Sequence, residues 1–323
     1  SHAHALIQWL PLDLALPLLC VTPDVLARHL RALGIDLGDG PLEPTRISYA
    51  PGRRATLRVG DHVLRGYADG ETFERALAGW RIARDGTIGH DHQRVDVWGD
   101  LFRRASSRRR PPAAPRPTTA VFEGAIPDLR TTVQLVLDGT SPGSAIQAAR
   151  SAGSLLRRIH ALPAAGLAER SAHDTLEAAR RAAGVLRVVD PAAETQIARL
   201  LDRLAERMPS GTPLVTSHGD FHSGELIRRG GELAVLDVDE ISRAAPARDL
   251  ATYVAHAVSH EDVEPAAVLD GLLAGYGARP DGLAWYVSAS ILRRAERPFR
   301  SLAEDWPARV EELVDTAERA LDA

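Results

Sequence analysis

The sequence contains no lysine and no asparagine, so all 39 of its Lys and Arg positions are arginine. Any site that elsewhere uses an ammonium group or an asparagine amide must here use another side chain. A single cysteine, Cys20, excludes a disulfide framework and a zinc site built on thiolates. No uncharged apolar run reaches the ~18 residues that a membrane-spanning helix needs. The most apolar stretch, residues 6–21, is interrupted by Asp13 and preceded by no basic residue, which makes it a poor signal peptide. A cytoplasmic location with no membrane partner is the expectation. The formal charge of -4 gives no general pull toward nucleic acid.

What is present is an ordinary globular balance. Hydrophobic residues are 45% and charged residues 25% of 323 positions, enough for two domains or one domain of two lobes. This excludes a disordered charged tail. A helix is expected to open at Thr22 or Pro23 and run to about Leu33, with Val25, Leu26, Leu30 and Leu33 on one face. From Arg46 the pattern turns to short strands. Residues 55–59 and 62–67, separated by Gly60-Asp61, read as a hairpin. Residues 71–84 carry Phe73, Leu77 and Trp80 at helical spacing. Residues 103–117, rich in Arg, Ser and Pro, read as an exposed loop. Residues 118–122 and 132–137 read as strands. After Gly143 the chain is mostly helical, over 145–162, 172–188, 192–208 and from Pro246 onward, with a β island at 214–238. The fold class is therefore α+β. The expected division is a small β-rich part, 1–138, and a larger helical part, 139–323, meeting near 138–143.

The β island carries the densest polar chemistry. It reads Ser217-His218-Gly219-Asp220-Phe221-His222-Ser223-Gly224-Glu225, then a strand, a glycine turn at Gly230-Gly231, and a second strand ending at Asp237. That order gathers Asp220, Glu225 and Asp237 at one end of a small hairpin. Three carboxylates in one place repel one another unless a cation sits among them. Magnesium prefers oxygen ligands and shares them with phosphate oxygens. A carboxylate at the loop tip can also orient a hydroxyl nucleophile. Metal-assisted phosphoryl transfer is the chemistry this pattern suggests.

His218-x-Asp220-x₄-Glu225, the strand ending in Asp237, and Pro246-Ala247-Arg248-Asp249-Leu250-Ala251 together resemble the aminoglycoside phosphotransferase and choline kinase superfamily, over about residues 45–300. The resemblance implies a bilobal, protein-kinase-like fold and an enzyme that uses Mg²⁺ and ATP or GTP. It implies that Asp220 is the catalytic base that orients the acceptor hydroxyl, and that Asp237 is the metal aspartate. Glu225 stands where the family has asparagine, the second metal ligand. Arg65 stands where the family has the phosphate-binding lysine. Glu74 is the candidate ion-pair partner for Arg65, with Glu71 as runner-up. Arg53 and Arg54 occupy the place of the phosphate-covering loop. Backbone near Val136–Asp138 is expected to meet the adenine.

Several residues keep two readings. Glu225 either binds metal or pairs with a neighbouring arginine. Asp239 either assists the metal or accepts structural hydrogen bonds. His218 and Asp249 are read as braces of the loop, and His160 as a packed or capping residue. His222 is a candidate for a substrate or phosphate contact. Arg293, Arg294 and Arg297 either receive an anionic substrate or form a solvated face. His90, Asp91 and His92 read as a polar loop rather than a metal site. The implied acceptor is a small-molecule hydroxyl on a sugar, an antibiotic or a metabolite. The alternatives are a peptide Ser/Thr kinase in a ribosomal peptide pathway, with loop 103–117 holding an acidic leader, and a pseudokinase or binding module without turnover.

Overall fold

The computed structural model describes residues 13–38, 40–85 and 118–323. Residues 90–92 and 103–117 lie outside the described residues. Helix α1 spans Pro23–Ala32, starts with proline, and is capped by Thr22, whose hydroxyl accepts the Val25 N–H. Strands β1 (Thr45–Ala50), β2 (Arg54–Val59) and β3 (His62–Tyr67) follow as an antiparallel meander. Helix α2 (Gly70–Asp85) comes next. Strands β5 (Phe122–Ile126) and β6 (Thr131–Leu135) then complete a five-stranded antiparallel sheet in the order β1-β2-β3-β6-β5.

The two-residue period of β3 divides its side chains between two environments. Leu64 faces the apolar cluster that contains Leu26 and Leu30 of α1 together with Leu57, Val59 and Val133. Arg65 and Tyr67 face the other way, toward the rest of the chain. Helix α2 covers that second face with Phe73, Ala76 and Leu77 beside Tyr67. Its Trp80 stacks on Phe122 at 5.8 Å and belongs to the large core of the helical part.

The helical part follows the apolar spacing of the sequence. Its first helix, α3 (Ala145–His160), begins with a capping box between Ser144 and Gln147. Helix α4 (Ala172–Val189) has a comparable start between Ser171 and Asp174, and α5 covers Glu194–Glu206. Further on lie α6 (Ala247–Glu261), α7 (Pro265–Tyr276), α8 (Leu283–Arg294), the short α9 (Arg297–Arg300) and α10 (Trp306–Leu321). Among the described residues no helix is long and apolar enough to cross a membrane.

Two β assignments differ from expectation. Residues 118–122 are not one strand: β4 (Thr118–Thr119) leaves the large sheet and pairs in parallel with β10 (Glu232–Val235), while Phe122 begins β5. The island at 214–238 is likewise not one sheet. Strand β8 (Val215–Ser217) pairs with β11 (Ser242–Ala244), which also holds β7 (Glu169–Arg170). Pieces of two or three residues are too short to show a period, so only their partners define them. The glycine turn is as expected. Gly230 and Gly231 both have positive φ and close the two-residue turn between β9 (Leu226–Arg229) and β10.

Candidate active site

The loop after β8 is held from beneath by Asp249, fully buried in the first turn of α6. Its carboxylate accepts the Ser217 hydroxyl at 3.0 Å, the His218 N–H at 2.7 Å and the Gly219 N–H at 2.9 Å. His160, at the end of α3, bonds Asp249 through Nε2 at 3.0 Å and Tyr276 through Nδ1 at 2.8 Å. Burial alone would raise this carboxyl, but the His160 bond and the nearby positive groups hold it down at about 2. The bracing role expected of Asp249 is thus visible in its contacts, and His160, expected as a packed or capping residue, supports that carboxylate by a hydrogen bond. His218 is 2% exposed, and its ring meets Phe221 edge-on at 5.6 Å. Gly219 has φ +91°, and a Cβ there would run into the carbonyl of Glu240, so no other residue fits this turn.

At the loop tip Asp220 faces outward. Its carboxylate lies 3.6 Å from His222 Nε2 and 3.6 Å from Arg294 Nη2 of the guanidinium group. Partial burial works against its charge, but His222, Arg294 and Arg293 outweigh it and keep the group ionised well below the usual carboxylate range. His222 Nδ1 accepts the Gly224 N–H at 3.1 Å, which directs the ring's Nε2 toward Asp220. Behind it stand His256 and His260 of α6, one turn apart, in a continuous stack with centroid spacings of 4.0 and 3.9 Å. Burial, together with the neighbouring histidines and arginines, holds His256 down at about 2, so it stays neutral.

A second acidic group lies after β10. Asp237 and Asp239 both contact the same Arg65 nitrogen, at 2.6 and 2.7 Å. The Tyr67 hydroxyl donates to Asp239 at 2.6 Å, and the Asp239 N–H donates to Asp237 at 2.9 Å. Arg54 approaches both carboxylates, at 3.6 and 3.8 Å. Burial opposes the charge of Asp237, yet Arg65 holds the group below its ordinary value. Asp239 moves up, because it is more deeply buried and faces the charge of Asp237. Gly79 lets α2 come close to this segment, since a Cβ there would strike the Val238 carbonyl.

Glu225 completes the convergence. It makes no ion pair or side-chain hydrogen bond among the described residues. Burial first, then the charges of Asp237 and Asp220, push it up to about 8, and Arg65 and Arg54 offset only part of this. The alternative of a pairing with a neighbouring arginine is therefore not what the structure has.

Other expected positions fall differently. Arg65 pairs with Asp237 and Asp239, not with Glu74 or Glu71, both of which are exposed on α2. The longer arginine reaches across to the buried acids, whose charge outcompetes a solvated glutamate. Arg54 reaches the acidic group, whereas Arg53 is exposed in the turn before β2. That turn is tied down by Asp13, which accepts the Gly52 N–H at 2.8 Å and the Tyr49 hydroxyl at 3.0 Å. At Val136 the N–H is already bonded to the Asp61 carbonyl at 2.7 Å, which leaves the Val136 carbonyl and the Leu137 N–H for a ligand. Sequence reasoning missed the roles of Tyr67 and of the His256–His260 stack. The only available signal was spacing, two residues from Arg65 on a strand and four residues along a helix.

The acids also bear on metal binding. Among the described residues no group of three or more His, Cys, Asp or Glu is assembled to hold a metal ion unaided. Magnesium commonly takes only one or two carboxylates, with phosphate oxygens and water filling the rest of its octahedron. Glu225, acidic and without a cationic partner beside Asp237, suits that need.

No curated protein matches the sequence. In fold the chain is similar to a choline/ethanolamine kinase family protein from Mesorhizobium loti, at 14% identity and TM-score 0.56, covering 94% of this chain and 96% of that one. It is also similar to the spectinomycin phosphotransferase APH(9)-Ia, solved with ADP and spectinomycin, at 14% identity and TM-score 0.57, covering 94% and 99%. A third similar structure is the macrolide 2'-phosphotransferase MphH from Brachybacterium faecium, at 19% identity and TM-score 0.52, covering 90% and 98%. These likenesses establish the protein-kinase-like α+β fold. The phosphotransferase enzyme family model matches residues 63–286, a span that runs from β3 through the loop of Asp220 to α8, and the chain belongs to that family.

Proposed function

We propose that this protein transfers the γ-phosphoryl group of ATP or GTP to a hydroxyl of a small molecule. The observation that carries the reading is the position of Asp220, an ionised carboxylate lining a cavity of about 510 Å³, with Asp237 and Asp220 both close enough to Glu225 to raise it. The solved spectinomycin phosphotransferase, similar in fold, was bound to ADP and an antibiotic, which supports both halves of the reading.

Asp220 accepts a hydrogen bond from the acceptor hydroxyl and aims its oxygen at the phosphorus. Because its neighbours hold it ionised, it is a weak base. It orients the nucleophile and takes the proton late, as the bond to phosphorus forms. His222 steadies that carboxylate through Nε2. Asp237 and Glu225 would hold magnesium, which when bound supplies positive charge to the phosphoryl oxygens. Arg65 and Arg54 offset phosphate charge from the sheet side. The free backbone groups at Val136 and Leu137 suit the edge of a purine. A peptide acceptor would depend on residues 103–117, which lie outside the described residues.

The test is calorimetric titration of MgATP and MgGTP into the wild type and into Asp237→Ala, followed by nucleoside diphosphate release with candidate acceptors. Metal-dependent binding that the variant loses is the expected result. A wild type that binds neither nucleotide would overturn the proposal.

A further inference from the structure

The cavity beside Asp220 has an unusual wall. Helix α8 ends in Arg293 and Arg294, and α9 begins with Arg297 and ends with Arg300. All four line the cavity, against two acids, Asp220 and Glu296. Glu296 is already bound to Arg300 at 2.8 Å. Arg294 leans on Asp220 at 3.6 Å, yet its side chain is only 12% exposed and its Nε is buried without a partner. Arg293 and Arg297 make no ion pair and no side-chain hydrogen bond among the described residues.

Arg297 and Arg300 reach solvent, but a solvated basic face would leave Arg293 and Arg294 in water too, and this wall holds both of them partly buried. Guanidinium groups packed together and short of acceptors are costly unless an anion joins them. The strain shows in their ionisation. Burial and the Arg293 charge bring Arg294 down to about 10, and burial with the Arg248 charge lowers Arg293. A quaternary ammonium or a polyamine sugar would meet net positive charge here. A carboxylate or phosphate would find planar, paired donors.

We infer that the acceptor is an anionic alcohol, a hydroxyl compound bearing a carboxylate or phosphate, whose negative group is seated by Arg293, Arg294 and Arg297 while its hydroxyl rests on Asp220. The inference rests on the phosphotransfer reading for the fate of the hydroxyl. The anion site itself rests on the cavity alone. The proximity of Arg294 to Asp220 puts both functional groups on one short carbon skeleton, and Ser301 at the cavity rim adds a neutral hydroxyl for orientation.

The experiment titrates sulfate, D-gluconate and glucose 6-phosphate calorimetrically, with sorbitol and glucose as uncharged counterparts and choline and kanamycin as cations. Each is tested on the wild type, Arg297→Gln and Arg293→Gln, and MgATP and MgGTP are titrated into the same three proteins. The expected result is that at least one organic anion binds at least about tenfold tighter than its uncharged counterpart, and that each substitution weakens it about tenfold, as loss of a charge-assisted contact should. Nucleotide affinity should stay unchanged in Arg297→Gln. Gluconate against glucose 6-phosphate separates a carboxylate from a phosphate preference. Arg297 is on the surface, so its variant keeps the test open if Arg293→Gln does not fold. Equal or tighter binding of the neutral or cationic compounds, no binding of any anion, or an anion affinity indifferent to both substitutions would each overturn the inference. So would a loss of nucleotide affinity in Arg297→Gln as large as the loss of anion affinity, which would assign the arginines to the nucleotide. If anions bind as expected but neither nucleotide binds, the phosphotransfer reading fails and the anion site stands. If nucleotide binds and anions do not, only the acceptor class falls.

Discussion

Arg65 holds two carboxylates on one nitrogen, Asp237 at 2.6 Å and Asp239 at 2.7 Å, in a region that is almost wholly buried. Removing that cation leaves two adjacent acids with only the half-exposed Arg54, at 3.6 and 3.8 Å, as a compensating positive charge. We expect Arg65→Met to destabilise the protein by about 3–5 kcal/mol, the usual cost of stripping one partner from a buried ion pair. Urea unfolding checks this, and adding Asp239→Asn should recover part of the loss by removing one stranded charge. If Arg65→Met unfolds at the wild-type urea concentration, the pair does not carry the stability assigned to it. Glu225 makes a different prediction. It releases its proton at about 8 in the folded protein, against an ordinary value of 4.5. Between these values the native state binds more protons than the unfolded chain, so this group's contribution is full below the lower value and lost as pH rises through the upper one. In metal-free buffer, the melting temperature of Glu225→Gln relative to wild type should therefore climb between about pH 5 and about pH 9. A difference that does not vary with pH would contradict the burial and charge repulsion described for Glu225. For Asp220, replacement by Asn keeps the shape but removes the charge proposed to orient the hydroxyl. Turnover should drop by about 10²–10⁴ with nucleotide affinity retained. Steady-state kinetics beside a nucleotide titration separates the two effects.

At the scale of elements, what matters is how few residues set the active loop on its scaffold. Asp249 spends its carboxylate on two backbone N–H groups, a hydroxyl and a histidine, so one side chain in the first turn of α6 defines the path of residues 217–219. Gly219 supplies the positive φ and the empty space below the Glu240 carbonyl. We expect Gly219→Ala to cost about 2 kcal/mol or more through strain and backbone collision, with activity falling further than stability because Asp220 is the next residue. Chemical denaturation and turnover, measured on the same preparation, would show it. An active variant of unchanged stability would mean the loop can relax in a way this geometry does not allow. The loop motif was largely legible in the sequence, because an ordered series of His, Asp and Glu before two short strands has few other physical readings. The pairing of β4 with β10 was not legible. A strand of two residues has no period, and its partner lies more than a hundred positions away.

At the scale of the whole molecule, the sheet and the helical part share more than a linker. Trp80 of α2 belongs to the helical core, β4 extends the β9–β10 hairpin, and Arg65 and Tyr67 clamp Asp239 from the sheet. We propose that the boundary near residues 138–143 divides structure but not cooperativity, so thermal unfolding should give one calorimetric transition. Trp80→Ala, which removes a fully buried side chain, should cost about 3–5 kcal/mol and lower that transition as a unit. Two separated transitions in the wild type would show the parts to be independent.

The sequence by itself determined the elements whose causes are local. These are the proline-started and capped helices, the hairpins closed by Gly60-Asp61 and Gly230-Gly231, and the α+β order. It also singled out Asp220, Glu225 and Asp237 as the acids proposed for the chemistry, since they sit on one loop and one hairpin, close in the chain. Only the tertiary structure decided the partners of the positive charges. Arg65 could face solvent, Glu74 or the buried acids with equal local propriety, and the choice depended on the closeness of α2 at Gly79 and on burial that raises the cost of any unpaired carboxylate. The same holds for Arg293, Arg294 and Arg297. On a helical wheel they read as well as a wetted face as a binding wall. Their convergence on one cavity beside Asp220, more than seventy residues earlier in the chain, was decided by packing, because electrostatic consequence depends on distance and dielectric, and neither is written in a linear sequence.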